Sequence, residues 1–323
     1  MDETSPNPAA GAPTPSRRGL APRLAVSAAL IAWILLRTPF REVAAAFLSA
    51  DLRFVLAALA LVPFGYLASV SRWRLLIRAQ GGDAGLPYLV RSFFVGVFFN
   101  NFLPSTIGGD TVRAIDTARA GTGRPRAVAV IFTDRFVGLL ALMLLALGGV
   151  LVSGRLTQRV PALYAWVIGG AAAMALLAVV LLRSKRFEAL RAFRPPVLAA
   201  AFGWSLFLQL LVVLNGWFLA RALHVPIPLP YFFLIVPLAL FVMMLPVSIN
   251  AIGVRENVWA FFFAAFGVAA AKGVALAWLD YGLVLLQAVI GGILYMKFPL
   301  SAKWRGGQGV RTRRAGDPEE ATS

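Results

Sequence analysis

The chain has 323 residues, of which 59% are apolar and only 14% charged, with a mean hydropathy of +0.78; an ordinary soluble domain is about 45–50% apolar and about 25% charged, so the composition describes an all-α, polytopic helical membrane protein. It has no cysteine and one histidine, His224, which excludes a disulfide scaffold, a thiolate zinc site and a His-built metal centre. The net charge of +17 would suit nucleic acid, but here the charges are scattered between long apolar stretches, as in basic loops facing anionic lipid.

Residues 1–19 are rich in Pro, Ala, Ser and Thr and read as a disordered cytoplasmic tail. Ser16-Arg17-Arg18 imitates an export signal, yet almost nothing soluble follows, so Leu20–Leu36 reads as a first span. Residues 39–53 mix apolar and charged side chains, as an interfacial helix does. Further runs near the crossing length of about 20 residues are Phe54–Val70, Ala127–Val152, Ala162–Leu182, Val197–Ala220 and Val274–Met296. Three runs are shorter or interrupted: Leu89–Leu103, Tyr231–Leu245 and Asn257–Ala271. Residues 301–323 turn basic and then acidic, a second cytoplasmic tail. Placing both termini inside gathers most arginines on one side, among them Arg72, Arg74, Arg78, Arg119, Arg124, Arg126, Arg183 and Arg194. That orientation predicts a multi-pass membrane protein with both termini cytoplasmic.

Two stretches align with one another. Leu103-Pro104-Ser105-Thr106-Ile107-Gly108-Gly109-Asp110-Thr111-Val112-Arg113 shares Leu, Pro, Ile, Val and Arg with Leu245-Pro246-Val247-Ser248-Ile249-Asn250-Ala251-Ile252-Gly253-Val254-Arg255. Each ends a shortened apolar run. Pro104 and Pro246 each lack a backbone donor, while Gly108, Gly109 and Gly253 permit sharp turns. Broken backbone at membrane depth survives only where protein or a polar cavity supplies its hydrogen bonds. Paired breaks in two chain halves point to a transporter's substrate site. The expected architecture is therefore two inverted repeats, about 20–152 and 162–296, each with about three spans and one re-entrant hairpin.

The candidate lipid-binding side chains are Arg113, Arg135, Arg255, Asp110, Asp134 and Glu256. The broken-helix backbone is that of Pro104, Gly108, Gly109, Pro246, Asn250 and Gly253. Arg113 and Arg255 match in the repeat, each near the start of a short helix, where guanidinium and backbone N–H groups both favour phosphate. Asp110 and Glu256 stand close to them in sequence, so structural pairing is the competing reading. Asp134 and Arg135 are adjacent, and adjacent helical residues do not face each other; different partners are expected. Asn100, Asn101, Gln209 and Asn215 suit interhelical hydrogen bonds. No nucleotide-binding or hydrolase motif occurs in the required context.

The motifs NNFLPSTIGGDTVRAIDTAR, TDRFVGLLALMLLALGG and LPVSINAIGVREN resemble the transmembrane, flippase-like domain of lysylphosphatidylglycerol synthases. The resemblance covers about residues 20–300 and carries Pro104, Gly108, Gly109, Asp110, Arg113, Asp134, Arg135, Pro246, Gly253, Arg255 and Glu256. Asp134-Arg135 stands where members commonly carry Glu-Arg. The resemblance implies a domain of the bacterial inner membrane that binds, and moves, membrane phospholipid with an anionic headgroup, without a cofactor or metal and without nucleic acid. Two-domain members add a cytoplasmic aminoacyl transferase; this chain stops about 25 residues after its last apolar run. Aminoacylation is therefore not expected, and the chain reads as a translocase rather than an enzyme. The alternative is a membrane partner of a separate glycosyl- or aminoacyl-transferase.

Overall fold

The computed structural model describes residues 40–102, 108–152, 162–183, 193–245 and 248–297. Both tails, the run Leu20–Leu36, and Pro104 and Pro246 lie outside the described residues. Ten α-helices and no strand occur among those described: α1 Phe40–Leu48, α2 Leu52–Ala79, α3 Leu86–Phe102, α4 Gly108–Thr117, α5 Arg124–Val152, α6 Ala162–Arg183, α7 Pro195–Ala222, α8 Leu229–Met244, α9 Val254–Ala265 and α10 Ala270–Lys297. Four of them, α2, α5, α7 and α10, are long and apolar enough to cross a membrane. The chain is a polytopic all-α protein.

Local chemistry sets the helix ends. The Asp51 carboxylate accepts from the Arg53 N–H at 2.9 Å and starts α2. Gly81, at φ 82°, stops it, and the Gly82 N–H returns to the Ile77 carbonyl at 3.1 Å. Pro195 and Pro196 open α7, where their missing N–H groups cost nothing. Its far end turns through His224, at φ 53°, and the Val225 N–H closes on the Ala220 carbonyl at 3.0 Å. The apolar run expected over Asn257–Ala271 is two helices, because Gly267 at φ 73° makes a turn between α9 and α10.

The two chain halves pack by exchange. α2 lies along α7; α3 lies on α10, and α8 lies on α5. Each short helix, α4 or α9, rests on the long helix that follows it. Two glycines allow the crossings. A Cβ on Gly149 of α5 would stand 2.6 Å from the Phe233 carbonyl of α8, and one on Gly291 of α10 would run into the Phe94 carbonyl of α3. Gly149 and Gly291 are as far apart in sequence as Arg113 and Arg255. In lipid, helices associate through close packing rather than hydrophobic exclusion, which favours such small residues.

Two apolar clusters fill the interior. One centres on Trp73, Leu76, Ile77, Leu89 and Val130. The other gathers Leu219, Phe232, Ile235, Phe263 and Leu276. Leu56, Phe64, Leu144, Leu286 and Val289 point outward and exposed, as lipid-facing side chains do.

Candidate functional site

The last residues of α3 bring the start of α4 and the second break together. Asn100 accepts the Gly109 N–H through Oδ1 at 2.7 Å, holding the start of α4. Asn101 accepts from Asn250 Nδ2 at 3.0 Å, holding the second break. Asn250 also donates to the Tyr281 hydroxyl of α10 at 3.1 Å. Gly109 packs directly on Gly96 of α3, where a Cβ would strike the Gly96 carbonyl. The second break turns through Asn250 (φ 51°), Ala251 (φ 56°) and Gly253 (φ 83°), a left-handed path that only glycine follows without strain.

Behind the first break runs a chain of charges. Arg72 of α2 donates from Nε to Asp134 Oδ1 at 2.7 Å and from Nη1 to the Ser205 hydroxyl at 2.7 Å. Arg113 of α4 donates from Nη2 to the other oxygen of Asp134 at 3.0 Å. Its guanidinium lies 4.6 Å from the Trp73 ring centre and 5.4 Å from that of Phe93. Trp73 in turn donates to Thr117, whose hydroxyl donates to the Arg113 carbonyl. Arg113 and Asp134 are 5% and 1% exposed, so this part of the chain is sealed. Taking one partner away would strand an unpaired buried charge.

The network opens to the outside at its other end. Arg135 donates twice to Asp110, at 2.6 and 3.1 Å; its side chain is 49% exposed and that of Asp110 27%. Asp110 stands 3.9 Å from Arg113. Three arginines thus share two aspartates, and the surplus positive charge has its exposed end at Arg135.

Arg255 differs. It follows the second break at the start of α9, and its guanidinium lies 4.5 Å from the Tyr281 ring centre. Among the described residues no carboxylate is within ion-pair distance of it, and its Nε is buried without a hydrogen-bond partner. Glu256 does not neutralise it. That carboxylate turns back to accept the Gly253 N–H at 2.8 Å and caps α9.

The structure therefore separates the arginines expected to act alike. Arg113 is enclosed with Asp134, Arg135 is half-exposed and held by Asp110, and Arg255 has no carboxylate within ion-pair distance among the described residues. Gly108 and Gly109 start α4, and Asn250 and Gly253 form the second break. Arg72, Trp73, Ser205 and Tyr281 were not singled out from the sequence. Arg72 reads there as one of several basic residues flanking a span, and nothing in its spacing pairs it with Asp134.

No group of three or more His, Cys, Asp or Glu side chains able to hold a metal ion occurs among the described residues. In comparison with known proteins, the family model described as Lysylphosphatidylglycerol synthase TM region matches residues 21–292. No curated protein matches the chain.

Proposed function

This chain belongs to the family of the lysylphosphatidylglycerol synthase TM region, a multi-pass membrane family with a lipid-related role, and from that premise we propose that it is a phospholipid translocase of the bacterial inner membrane, not an enzyme. The lipid headgroup phosphate sits at the junction of the two breaks. Arg255 is its principal ligand, and the half-exposed Arg135 contributes from the other half. Arg72, Asp134 and Arg113 hold the first break rigid and supply the underlying positive field.

The observation that carries this reading is Arg255: an arginine held against Tyr281, its Nε buried without a hydrogen-bond partner and no carboxylate within ion-pair distance among the described residues. An arginine within a membrane protein is costly and needs a counter-charge. Guanidinium grips phosphate through two parallel N–H groups. The asparagines beside it, Asn101 and Asn250, offer neutral polar groups to a headgroup passing between the halves. Both termini lie on the cytoplasmic side in this reading, where most of the arginines gather.

The test is reconstitution of the full chain into vesicles of phosphatidylethanolamine and phosphatidylglycerol carrying headgroup-labelled phosphatidylglycerol. Outer-leaflet label is quenched over time. Protein-dependent equilibration that disappears in Arg255→Ala, with an unchanged melting temperature, supports translocation through this site. No acceleration over protein-free vesicles would overturn it in favour of a partner of a separate transferase. Binding of glycerophosphoglycerol, the same headgroup without acyl chains, is measured alongside. Binding as tight as that of the lipid would assign the site to a free phosphate ester instead.

A further inference from the structure

A cavity of about 260 Å³ lies between α2, α7, α8, α9 and α10, a little under the roughly 300–1,000 Å³ of sites for drug-sized molecules. Most of its wall is apolar, as at Leu211, Val236 and Leu276. Tyr66, Phe93 and Trp259 add aromatic rings. Among the described residues, one charged side chain reaches this wall, that of Asp280. It comes from the interior of α10, well away from either end of that 28-residue helix.

Asp280 makes no hydrogen bond and no ion pair among the described residues. The cations of the surrounding helices are placed elsewhere. Lys272 of α10 donates to the His224 carbonyl at 3.2 Å. Arg72 of α2 is held by Asp134 and Ser205. The Arg255 guanidinium lies over the Tyr281 ring, and Arg255 is not on the cavity wall. A carboxylate at membrane depth is costly until a cation joins it. The rest of the wall defines the kind of cation. A small metal ion needs several oxygen ligands, and leucine and valine walls offer it none. An ammonium on an apolar body gains from every part of the cavity. The aliphatic side chains take the body, and aromatic ring faces attract the charge. The amine N–H groups need acceptors. Asp280 is one. Asn215, also on the wall, donates from Nδ2 to the Ala58 carbonyl at 3.0 Å, which leaves its Oδ1 as another.

We propose that this cavity is a binding site for an organic ammonium, a compact apolar molecule carrying one positively charged amine, with the amine at Asp280 and the apolar body against Leu211, Val236 and Leu276. The proposal does not rest on phosphate binding at Arg255 and stands or falls without it. The same chemistry has two sources, a free amine and the ammonium of an aminolipid headgroup. The cavity joins the chain halves, since α2 belongs to the first and α7, α8, α9 and α10 to the second. Tyr66 of α2 is already hydrogen-bonded to Gln287 of α10 across it. A ligand seated there therefore holds the halves together and raises the melting temperature of the protein.

The experiment titrates the purified full chain in micelles, at neutral pH, with adamantylamine and with adamantanol, which has the same apolar cage and no charge. Calorimetry, corrected for binding to empty micelles, gives both affinities. The amine is expected to bind about tenfold or more tightly than the alcohol. Asp280→Asn should lose that preference and still bind the alcohol, which shows the cavity intact. Val212→Phe, which fills the cavity and keeps Asp280, should exclude both probes, and it serves if the asparagine variant fails to fold. Arg255→Ala should leave the preference unchanged. Dihexanoyl phosphatidylethanolamine is added as a competitor. Displacement of the bound amine assigns the site to a lipid ammonium, and failure to displace it assigns the site to a free amine; both support the proposal. Equal affinities for the two probes in the wild type, or binding of neither, would overturn it. So would an undiminished preference in Asp280→Asn, or amine binding that survives Val212→Phe.

Discussion

Arg113 and Asp134 meet at 3.0 Å inside the protein, one from a ten-residue helix and the other from a long one. The same carboxylate also binds Arg72 at 2.7 Å. Asp134 therefore ties α2, α4 and α5 at one point, and α4 is anchored to two long helices. Among the described residues the second break has no such anchor; it is held by Asn250, Gly253 and the cap from Glu256.

Asp134→Ala is expected to destabilise the fold strongly. It leaves Arg72 buried without a counter-charge and Arg113 with only Asp110 at 3.9 Å, at a cost of about 3–5 kcal/mol. Thermal unfolding in detergent measures it. A melting temperature equal to that of wild type would mean the ion network carries no structural weight.

Arg255→Ala should behave oppositely. It loses a cation–π contact worth about 0.5–1 kcal/mol, so the melting curve moves little. Headgroup transfer is expected to vanish, and Arg255→Lys should recover only part of it, since an ammonium cannot form the two-pronged grip. Full activity in Arg255→Ala would remove this residue from the site.

Asp110→Asn should strengthen anion binding. The carboxylate now occupies Arg135 through two hydrogen bonds and competes with any phosphate. For a half-exposed pair worth about 0.2–1 kcal/mol, the gain reaches up to about fivefold. Weaker binding of dihexanoyl phosphatidylglycerol would show instead that Asp110 positions Arg135 productively.

Gly149→Ala and Gly291→Ala test the two exchanged crossings. Each adds a methyl group where a neighbouring helix backbone already stands. Forced separation costs about 1–3 kcal/mol, read as a drop in melting temperature for both variants. Gly148→Ala, with open space around it, is the control and should leave stability nearly unchanged.

Asp83 lies in the loop after α2, and the hydrogen bond from Arg78, at 3.0 Å, holds its carboxyl below the usual range. A carboxyl lowered on folding stabilises the fold above its unfolded pKa, about 4, and loses that contribution as pH falls through the lowered value. Because Asp83 is 67% exposed, the effect is under about 1 kcal/mol. Asp83→Asn should lower stability slightly near neutrality and converge with wild type at low pH, which flattens the acid side of the curve. An unaltered acid limb in the variant would show that the pair contributes nothing.

Much of this arrangement is legible in the residues. The apolar runs at 127–152, 197–220 and 274–296 become α5, α7 and α10 with small changes at their ends. Arg113 and Arg255 each stand in a short helix beyond a break, as the aligned stretches imply. Asp134 and Arg135, neighbours in sequence, take different partners, as the turn of a helix requires. What the residues do not disclose is Arg72. It lies in the basic end of α2 near Arg74 and Arg78, and only the approach of α4 and α5 distinguishes it from them.

Hydropathy acts locally and adds along the chain, so the amino-acid sequence by itself determined the membrane class and the long helices. Charge compensation depends on distances between helices far apart in the chain. Only the tertiary structure therefore decided that Arg113 is enclosed by Asp134 and that Glu256 caps a helix rather than pairing with Arg255. Those distances follow from where the backbones can cross, which Gly149 and Gly291 set by carrying no side chain.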